Sequence, residues 1–301
     1  MRVQQRPLFR GILFATRSGE LLPPDLARVR ALCELFGARL HVLRVLPALG
    51  RPNALFAGHD TADTLMRSQH AAQLRSDTEA ICQGAFGHSG AEISVRRGDF
   101  EQVVAQTARE LGADVIVLRG AHAHRGSEVV AVARAAHVPV MVAELPHAHA
   151  IVAATDLSDP RYPVLMRGVE LAQRFDASLT AVHNAEPFAA TPPTMAAGAV
   201  VPPHASVNER LFASARERMR AVVDELGVDF DGVVVRRFGT AEAILEEARR
   251  MHADLVVVGT RPRPWLLQKL SRSVAAAVID RAARSVMVVP IPAPALRVEL
   301  G

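Results

Sequence analysis

The residues whose types and spacing are best suited to a chemical role lie between two apolar runs near the end of the chain. The run at 255–258 leads into Gly259 and Thr260, a basic loop follows, and Ser273 precedes a helical pattern that ends at a second apolar run, 286–289. A strand that leads through a loop into a helix presents backbone N–H groups and the positive end of a helix dipole to an anion. The spacing therefore predicts a phosphate site.

This stretch resembles the nucleotide loop of the universal stress protein family, whose pattern is G-x-x-G, nine residues, G-[ST]. Gly259 and Ser273 occupy the first glycine and the hydroxyl position, whereas Pro262 and Arg272 replace the second and third glycines. Glycine lets the backbone approach a phosphate closely, while proline fixes φ and has no N–H. These departures predict a loop that has lost or altered its ligand.

The chain also contains an internal repeat. Four pairs of blocks are displaced by 139 or 140 residues: 11–16 and 150–155, 36–45 and 175–184, 95–97 and 235–237, 112–118 and 252–258. A nearly constant displacement through four blocks predicts duplication of one fold. We therefore expect two domains, residues 1–146 and residues 147–301.

In each half, short continuous apolar runs alternate with helical patterns of about ten to twenty residues. Runs of this kind are buried on both faces, and the connections are long enough for helical crossovers. They predict an α/β protein with two tandem, doubly wound, five-stranded, mostly parallel sheet domains. The order of elements, and the ATDLSD segment at 154–159, again resemble the universal stress family and imply its Rossmann-like, adenine nucleotide alpha hydrolase-like fold.

The predicted elements of the first half are strand 11–16, helix 25–36, strand 39–45, helix 62–85, strand 91–96, helix 100–111, strand 113–118, helix 127–136 and strand 138–143. The second half repeats this order from 150 to 290. We expect the two halves to pair through their last strands, 138–143 and 285–289, because the edge strand of a parallel sheet has unpaired N–H and C=O groups. The irregular segments 47–60 and 185–205 are predicted to be surface loops.

The halves differ where the family binds its ligand. The interval from Gly259 to Ser273 is 14 residues, but the corresponding interval that begins at Arg119 is 8, so the first half has lost six residues and the glycine. Asp156 follows the first strand of the second half, where the resemblance implies a ribose carboxylate, and Arg17 replaces it in the first half. We expect the first half to be a partner domain without a nucleotide site.

The resemblance implies ATP or ADP as a ligand of the second half only. The implied contacts are Asp156 with ribose, Asn184 and Val258 with adenine, Gly259, Thr260 and Arg261 along the first turn of the loop, and Ser273 and Val274 with phosphates. Arg263 and Arg272 lie outside the family pattern, but guanidinium groups bind phosphate in a bidentate manner and could replace lost backbone contacts. The alternative is structural: Asp156 and Ser273 have the residue types of helix N-caps.

Two histidine pairs, His122 with His124 and His147 with His149, follow the fourth and fifth strands of the first half. With the family's strand order both pairs emerge at one edge of the sheet, where four imidazoles would suit zinc or nickel. The alternative is that these are solvent-exposed loop residues in a chain with 12 histidines. We favour the alternative and expect no metal site.

Composition limits the classes of function. The net charge is +4 and Lys269 is the one lysine among 35 basic residues. The arginines are scattered and aromatics are few, which does not favour nucleic acid as a partner. No run of 18 apolar residues and no signal peptide are evident, so a soluble, cytoplasmic protein is expected. Cys33 and Cys82 lack a C-x-x-C partner and are expected to be reduced core residues.

No catalytic motif of the G-x-S-x-G, HExxH or Walker type occurs in the sequence. A binding protein is therefore favoured over an enzyme. The resemblance implies a non-catalytic stress-response module whose second domain senses an adenine nucleotide and that acts on an unidentified protein partner. The alternatives are a scaffold that binds no nucleotide and, third, a slow ATPase. Whether two chains associate as a homodimer is left open.

Overall fold

Strands and helices alternate along the chain as the apolar runs predict. The computed structural model describes residues 8–17, 21–48, 60–86, 91–120, 124–144, 147–187, 204–228, 230–261 and 273–292. The first half comprises β1 (Gly11–Arg17), α1 (Pro23–Phe36), β2 (Arg39–Pro47), α2 (Asp60–Phe86), β3 (Ala91–Gly98), α3 (Phe100–Leu111), β4 (Val115–Arg119), α4 (Gly126–Ala136) and β5 (Val140–Ala143). The second half comprises β6 (Ala150–Ala154), α5 (Pro163–Phe175), β7 (Ser178–Asn184), α6 (His204–Leu226), β8 (Asp231–Val235), α7 (Thr240–Arg250), β9 (Leu255–Thr260), α8 (Val274–Arg281) and β10 (Ser285–Pro290). In the first half, each bound lies within two residues of its prediction.

The described strands form one continuous ten-stranded sheet in the order β3-β2-β1-β4-β5-β10-β9-β6-β7-β8. Neighbouring strands within each half run parallel, as the continuous apolar runs predict. Each half therefore contributes a five-stranded sheet, as expected, but the two sheets are joined edge to edge into one.

The join lies between β5 and β10, which pair antiparallel. Met141 faces Met287, and the flanking pairs are Val140 with Val288 and Val142 with Val286. Met141 and Met287 are equivalent in the repeat, and the two flanking pairs are symmetry mates of each other, so a pseudo-two-fold axis passes between the two methionines. The predicted pairing of the last strands is confirmed, and it satisfies the backbone groups that each half alone would leave at a sheet edge.

Two helical layers cover the sheet, and each layer spans both halves. Helices α1, α2, α5 and α6 cover one face, and α3, α4, α7 and α8 cover the other. Successive strand residues point to opposite faces; Ile12 contributes to the first core and Leu13 to the second. Phe36 and Phe175, equivalent in the repeat, meet edge to face with ring centroids 5.8 Å apart. The halves therefore share both cores.

This topology sets the place of a ligand site in the second half. Strand β6 lies between β9 and β7, and all three run in the same direction, so their carboxyl ends meet at one edge. In open α/β sheets a crevice opens at that edge, where the strand order reverses. Residues 49–59 and 188–203, which include most of the two predicted surface loops, lie outside the described residues. Among the described helices, none is both long and apolar enough to span a membrane.

Candidate functional site

A cleft of about 540 Å³ opens at the carboxyl ends of β6, β7 and β9 and extends to the first turn of α8. Eight of the ten residues assigned to a ligand from the sequence line it: Asp156, Asn184, Val258, Gly259, Thr260, Arg261, Ser273 and Val274. The other two, Arg263 and Arg272, lie outside the described residues, as does Pro262. The fold thus brings together side chains that are up to 118 residues apart in the chain (156 to 274).

Two aspartates line the cleft. Asp156 follows β6, and its Oδ1 accepts hydrogen bonds from the backbone N–H of Ser158 (3.0 Å) and from the Ser158 hydroxyl (2.7 Å). Its other oxygen lies 3.1 Å from Nη1 of Arg261, and 60% of the Asp156 side chain remains exposed. A second carboxylate in the lining, Asp159, is bonded to Arg161, and the hydrogen bond from that side chain lowers its pKa below the ordinary range.

The loop between β6 and α5 has an unusual backbone. Leu157 and Tyr162 both have positive φ, 57° and 44°, although neither is glycine. Both side chains are buried, which holds these conformations in place. Backbone strain of this kind is characteristic of functional sites, where the surrounding packing maintains it. Helix α5 begins only at Pro163, so the interpretation of Asp156 as a helix cap is wrong; Asp156 closes a short turn onto Ser158 instead.

Part of the cleft wall is apolar. Val258 is buried, and the neighbouring wall contains Val182, Ile244 and Ile291. Gly259 fits here for a packing reason, because a Cβ at this position would lie 2.5 Å from Cδ1 of Ile291 and 2.9 Å from Cγ2 of Val164, so both side chains would have to move. A flat, largely apolar ring system matches such a wall.

Asn184 borders the cleft at the end of β7, but its amide is engaged by the protein. Its Nδ2 donates to the carbonyl of Arg237 (3.1 Å) and to Oγ1 of Thr240 (3.2 Å), and its Oδ1 accepts from the N–H of Arg237 (3.1 Å). These bonds use both amide donors. Asn184 therefore fastens β7 to the segment before α7, and it positions the wall of the cleft.

Two arginines and a helix N-terminus also line the cleft. Arg261 follows β9 and donates from Nη2 to the hydroxyl of Ser158 (2.5 Å), in addition to its ion pair with Asp156. Arg134 enters from α4 of the first half, and its Nε donates to Oγ1 of Thr260 (2.9 Å). Ser273 is the N-cap of α8, and its hydroxyl accepts from the N–H of Ala276 (3.4 Å). The cap interpretation of Ser273 is thus confirmed, and it leaves the helix dipole directed into the cleft.

The equivalent region of the first half is an open pocket of about 620 Å³ with a different lining, which includes Arg17, His124, Ser127, Glu128 and Asp280. Arg17, which replaces the ribose carboxylate, forms an ion pair with Glu128 and lies 4.5 Å above the ring of Phe100. Arg119, at the lost glycine, pairs with Asp25 at 3.2 Å. These contacts account physically for the sequence-based expectation that this half differs from the second.

The histidine pairs do not form a cluster among the described residues. His124 is buried, with its side chain 3% exposed; its Nδ1 lies 3.0 Å from Glu128 and its ring stacks on Phe100. The interpretation as a solvent-exposed loop residue is therefore wrong for His124, whereas His147 and His149 are exposed. His122 lies outside the described residues. Within the described residues, no group of three or more His, Cys, Asp or Glu side chains is arranged to hold a metal ion.

Thirteen of the 21 lining residues were not assigned from the sequence, among them Asp159, Tyr162 and Arg134. Asp159 and Tyr162 belong to the loop after β6, whose length alone gave no sign of where its side chains point. Arg134 could have been found from the repeat, because Arg134 and Asp280 each lie seven residues beyond the serine at the start of their helix. The first half also keeps a glycine, Gly126, directly before its serine, a match to the family pattern that the spacing of the shortened loop obscured.

Comparison with known proteins agrees with this architecture. A universal stress protein A homolog of Coxiella burnetii is 28% identical over 129 residues, which cover 43% of this chain and 85% of that protein. A universal stress protein from Archaeoglobus fulgidus has a similar structure (TM-score 0.63, 15% identity, 94% of this chain and 96% of that chain). So does a protein of unknown function from Pseudomonas aeruginosa (TM-score 0.59, 17% identity, 94% and 92%). The sequence profile of the universal stress protein family matches residues 9–144 and again 147–290. The chain therefore belongs to the universal stress protein family and carries two copies of the family's domain in one polypeptide.

Proposed function

We propose that this protein is a non-catalytic, cytoplasmic stress-response module that binds one adenine nucleotide, ATP or ADP, in the cleft of its second domain. We take residues 147–301 as the domain that provides most of the site and residues 1–146 as its partner domain. The observation that carries the proposal is the set of groups that line one cleft. An exposed carboxylate, an apolar wall, two guanidinium groups and a helix N-terminus all belong to the same lining.

That combination of groups matches the parts of a nucleotide. A carboxylate accepts hydrogen bonds from the two ribose hydroxyls, an apolar wall packs on a base, and guanidinium groups and helix N-termini bind phosphate. In this arrangement Asp156 contacts ribose, Val258 packs on adenine, and Arg261 and Ser273 contact phosphates. Arg263 and Arg272 belong to the proposal as further phosphate ligands of the same loop.

Calorimetric titration with ATP tests the proposal, with an expected stoichiometry of no more than one site per chain. Asp156→Asn should weaken ATP binding by about 10- to 150-fold, equivalent to the about 1.5–3 kcal/mol of a hydrogen bond to a charged group. Asp231→Asn is the matched control, because Asp231 lies on the outer strand β8 and away from the lining of the cleft. Two equivalent sites per chain, or equal losses in the two variants, would contradict the proposal.

A second candidate is a scaffold that binds no nucleotide. The ion pair between Arg261 and Asp156 favours it, because the guanidinium already occupies one oxygen of the proposed ribose carboxylate. The Asp156 side chain is 60% exposed and that of Arg261 is 37% exposed, and a surface pair of this kind contributes only about 0.2–1 kcal/mol. A ribose could therefore displace Arg261 at small cost. The scaffold function is supported if calorimetric titration with ATP gives no heat and if millimolar ATP does not shift the melting temperature.

A further inference from the structure

The helices α4 and α8 cross on one face of the sheet, beside the pseudo-two-fold axis. Their contact is close at Gly126, where an added Cβ would lie 2.1 Å from the carbonyl oxygen of Ala276. Because the two helices are equivalent in the repeat and run in opposite senses, the last turn of each reaches the first-turn region of the other half. Each helix thereby sends one charged side chain into the opposite half.

The two side chains carry opposite charge. Asp280, in the last turn of α8, accepts a hydrogen bond from the N–H of Gly126 at the start of α4 (2.7 Å). Arg134, its equivalent in the last turn of α4, donates to Thr260 in the cleft of the second half (2.9 Å). A carboxylate therefore lies at the helix N-terminus of the first half. In the corresponding region of the second half, a guanidinium lies instead.

A carboxylate held on the N–H groups of a helix start takes the place that an anionic ligand would use. In the first half that place is already taken by Asp280, and an incoming phosphate would meet its negative charge. In the second half Arg134 adds positive charge beside Thr260, Ser273 and Val274, all in the lining of the same cleft. The exchange thus favours an anion at one end of the molecule and opposes it at the other.

We propose that Arg134 of the first half is an anion-binding residue of the second half's cleft, so that the phosphate end of the site is built from both halves. Its ligand is the polyphosphate of the nucleotide, and in this respect the inference rests on the proposed function. Arg134 contacts phosphate directly, while its bond to Thr260 holds the guanidinium in place. The site is incomplete without the first half.

The test compares wild type with Arg134→Gln, using ATP, adenosine and inorganic tripolyphosphate as separate probes in calorimetry. We expect Arg134→Gln to weaken ATP and tripolyphosphate by about tenfold or more, the usual scale for a charge-assisted hydrogen bond, and to change adenosine binding less than twofold. Arg134→Lys should recover part of the loss, because it restores the charge but not the fork of donors. Arg109→Gln on α3 is the matched control, since it removes one positive charge outside the lining of the cleft.

The outcomes separate the inference from the proposed function. If ATP binds wild type and Arg134→Gln equally well, the inference is wrong and the nucleotide site stands. If wild type binds tripolyphosphate but neither ATP nor adenosine, and Arg134→Gln loses tripolyphosphate, the anion role holds and the nucleotide proposal fails. If wild type binds none of the three probes, both are overturned. Equal melting temperatures of the variants show that a loss of binding is not a loss of fold.

Discussion

Gly126→Ala is the sharpest test of the way the two halves are joined. Gly126 is the first residue of α4, and an added Cβ would lie 2.1 Å from the carbonyl oxygen of Ala276 and 2.8 Å from its Cα, well inside the 3.4 Å at which ordinary contact begins. Since the neighbouring atoms belong to backbone, no side-chain rotation relieves the overlap. The helices α4 and α8 must instead separate by about 1 Å, which also stretches the bond from Gly126 to Asp280.

Overpacking of this kind costs about 1–3 kcal/mol, and a backbone obstacle places this site at the upper end. An Ala in place of Gly gains less than about 1 kcal/mol of helix propensity, so the clash dominates. We expect the melting temperature, measured by calorimetry or circular dichroism, to fall by about 2–5 °C, because a cooperative unit of this size has an unfolding entropy of about 0.6 kcal/mol/K.

Gly84→Ala is the matched control for Gly126→Ala. Gly84 also lies in a helix, α2, but among the described residues no atom lies within 4 Å of a Cβ placed there. This variant should be as stable as wild type or more stable by up to about 1 kcal/mol. A Gly126→Ala protein that melts at or above the wild-type temperature would refute the close crossing of α4 and α8.

Two further predictions concern buried titratable groups. Burial, together with the charges of Arg17 and Arg119, lowers the pKa of His124 from 6.5 to about 4. The unfolded chain therefore takes up a proton near pH 6.5, whereas the folded chain does not. The free energy of unfolding should then fall by up to about 3 kcal/mol from pH 6.5 to pH 4. His124→Gln should remove this part of the pH dependence, as measured by denaturant titrations at each pH. Burial also raises the pKa of Cys33 to about 12 and that of Cys82 to about 11. Iodoacetamide at pH 8 should therefore label the native thiols at least about a hundredfold more slowly than in urea, and equal rates would show that the cores are open.

The sequence was sufficient for the elements of the fold because the strands are buried on both faces. A run such as 255–258 has no polar alternation to mislead the assignment, and the turns between elements contain residues that end helices, for example Gly37 and Gly112 with left-handed backbone. The repeat then supplied the order of strands and the pairing of β5 with β10. Helix and strand bounds in the first half differ by up to two residues from those predicted. Differences of this size arise because helix ends depend on local capping.

The contacts of individual polar groups were less predictable, because they depend on distant backbone. The amide of Asn184 is taken up by the backbone of Arg237, 53 residues away in the chain. His124 looked like a loop histidine, but it is covered by Phe100 and Glu128. The sequence placed Asn184 at the cleft and His124 in a loop, and both placements were correct. The partners of these two side chains were set by tertiary packing, which leaves no periodic signal in the sequence.

Asp280 shows how the duplication gave the halves different roles without changing the fold. An aspartate in the last turn of a helix faces the negative end of its own dipole, which is unfavourable by about 0.3–1 kcal/mol. Asp280 nevertheless lies at the positive end of α4, where its carboxylate accepts from Gly126, so the crossing helix reverses the sign of the interaction. Arg134 is at the favourable end of its own helix and also faces the start of α8. In a symmetric dimer of identical chains one residue type would occupy both positions, and both clefts would receive the same charge. A tandem chain can place an acid in one and a base in the other, and that difference follows directly from the fusion of two domains through β5 and β10.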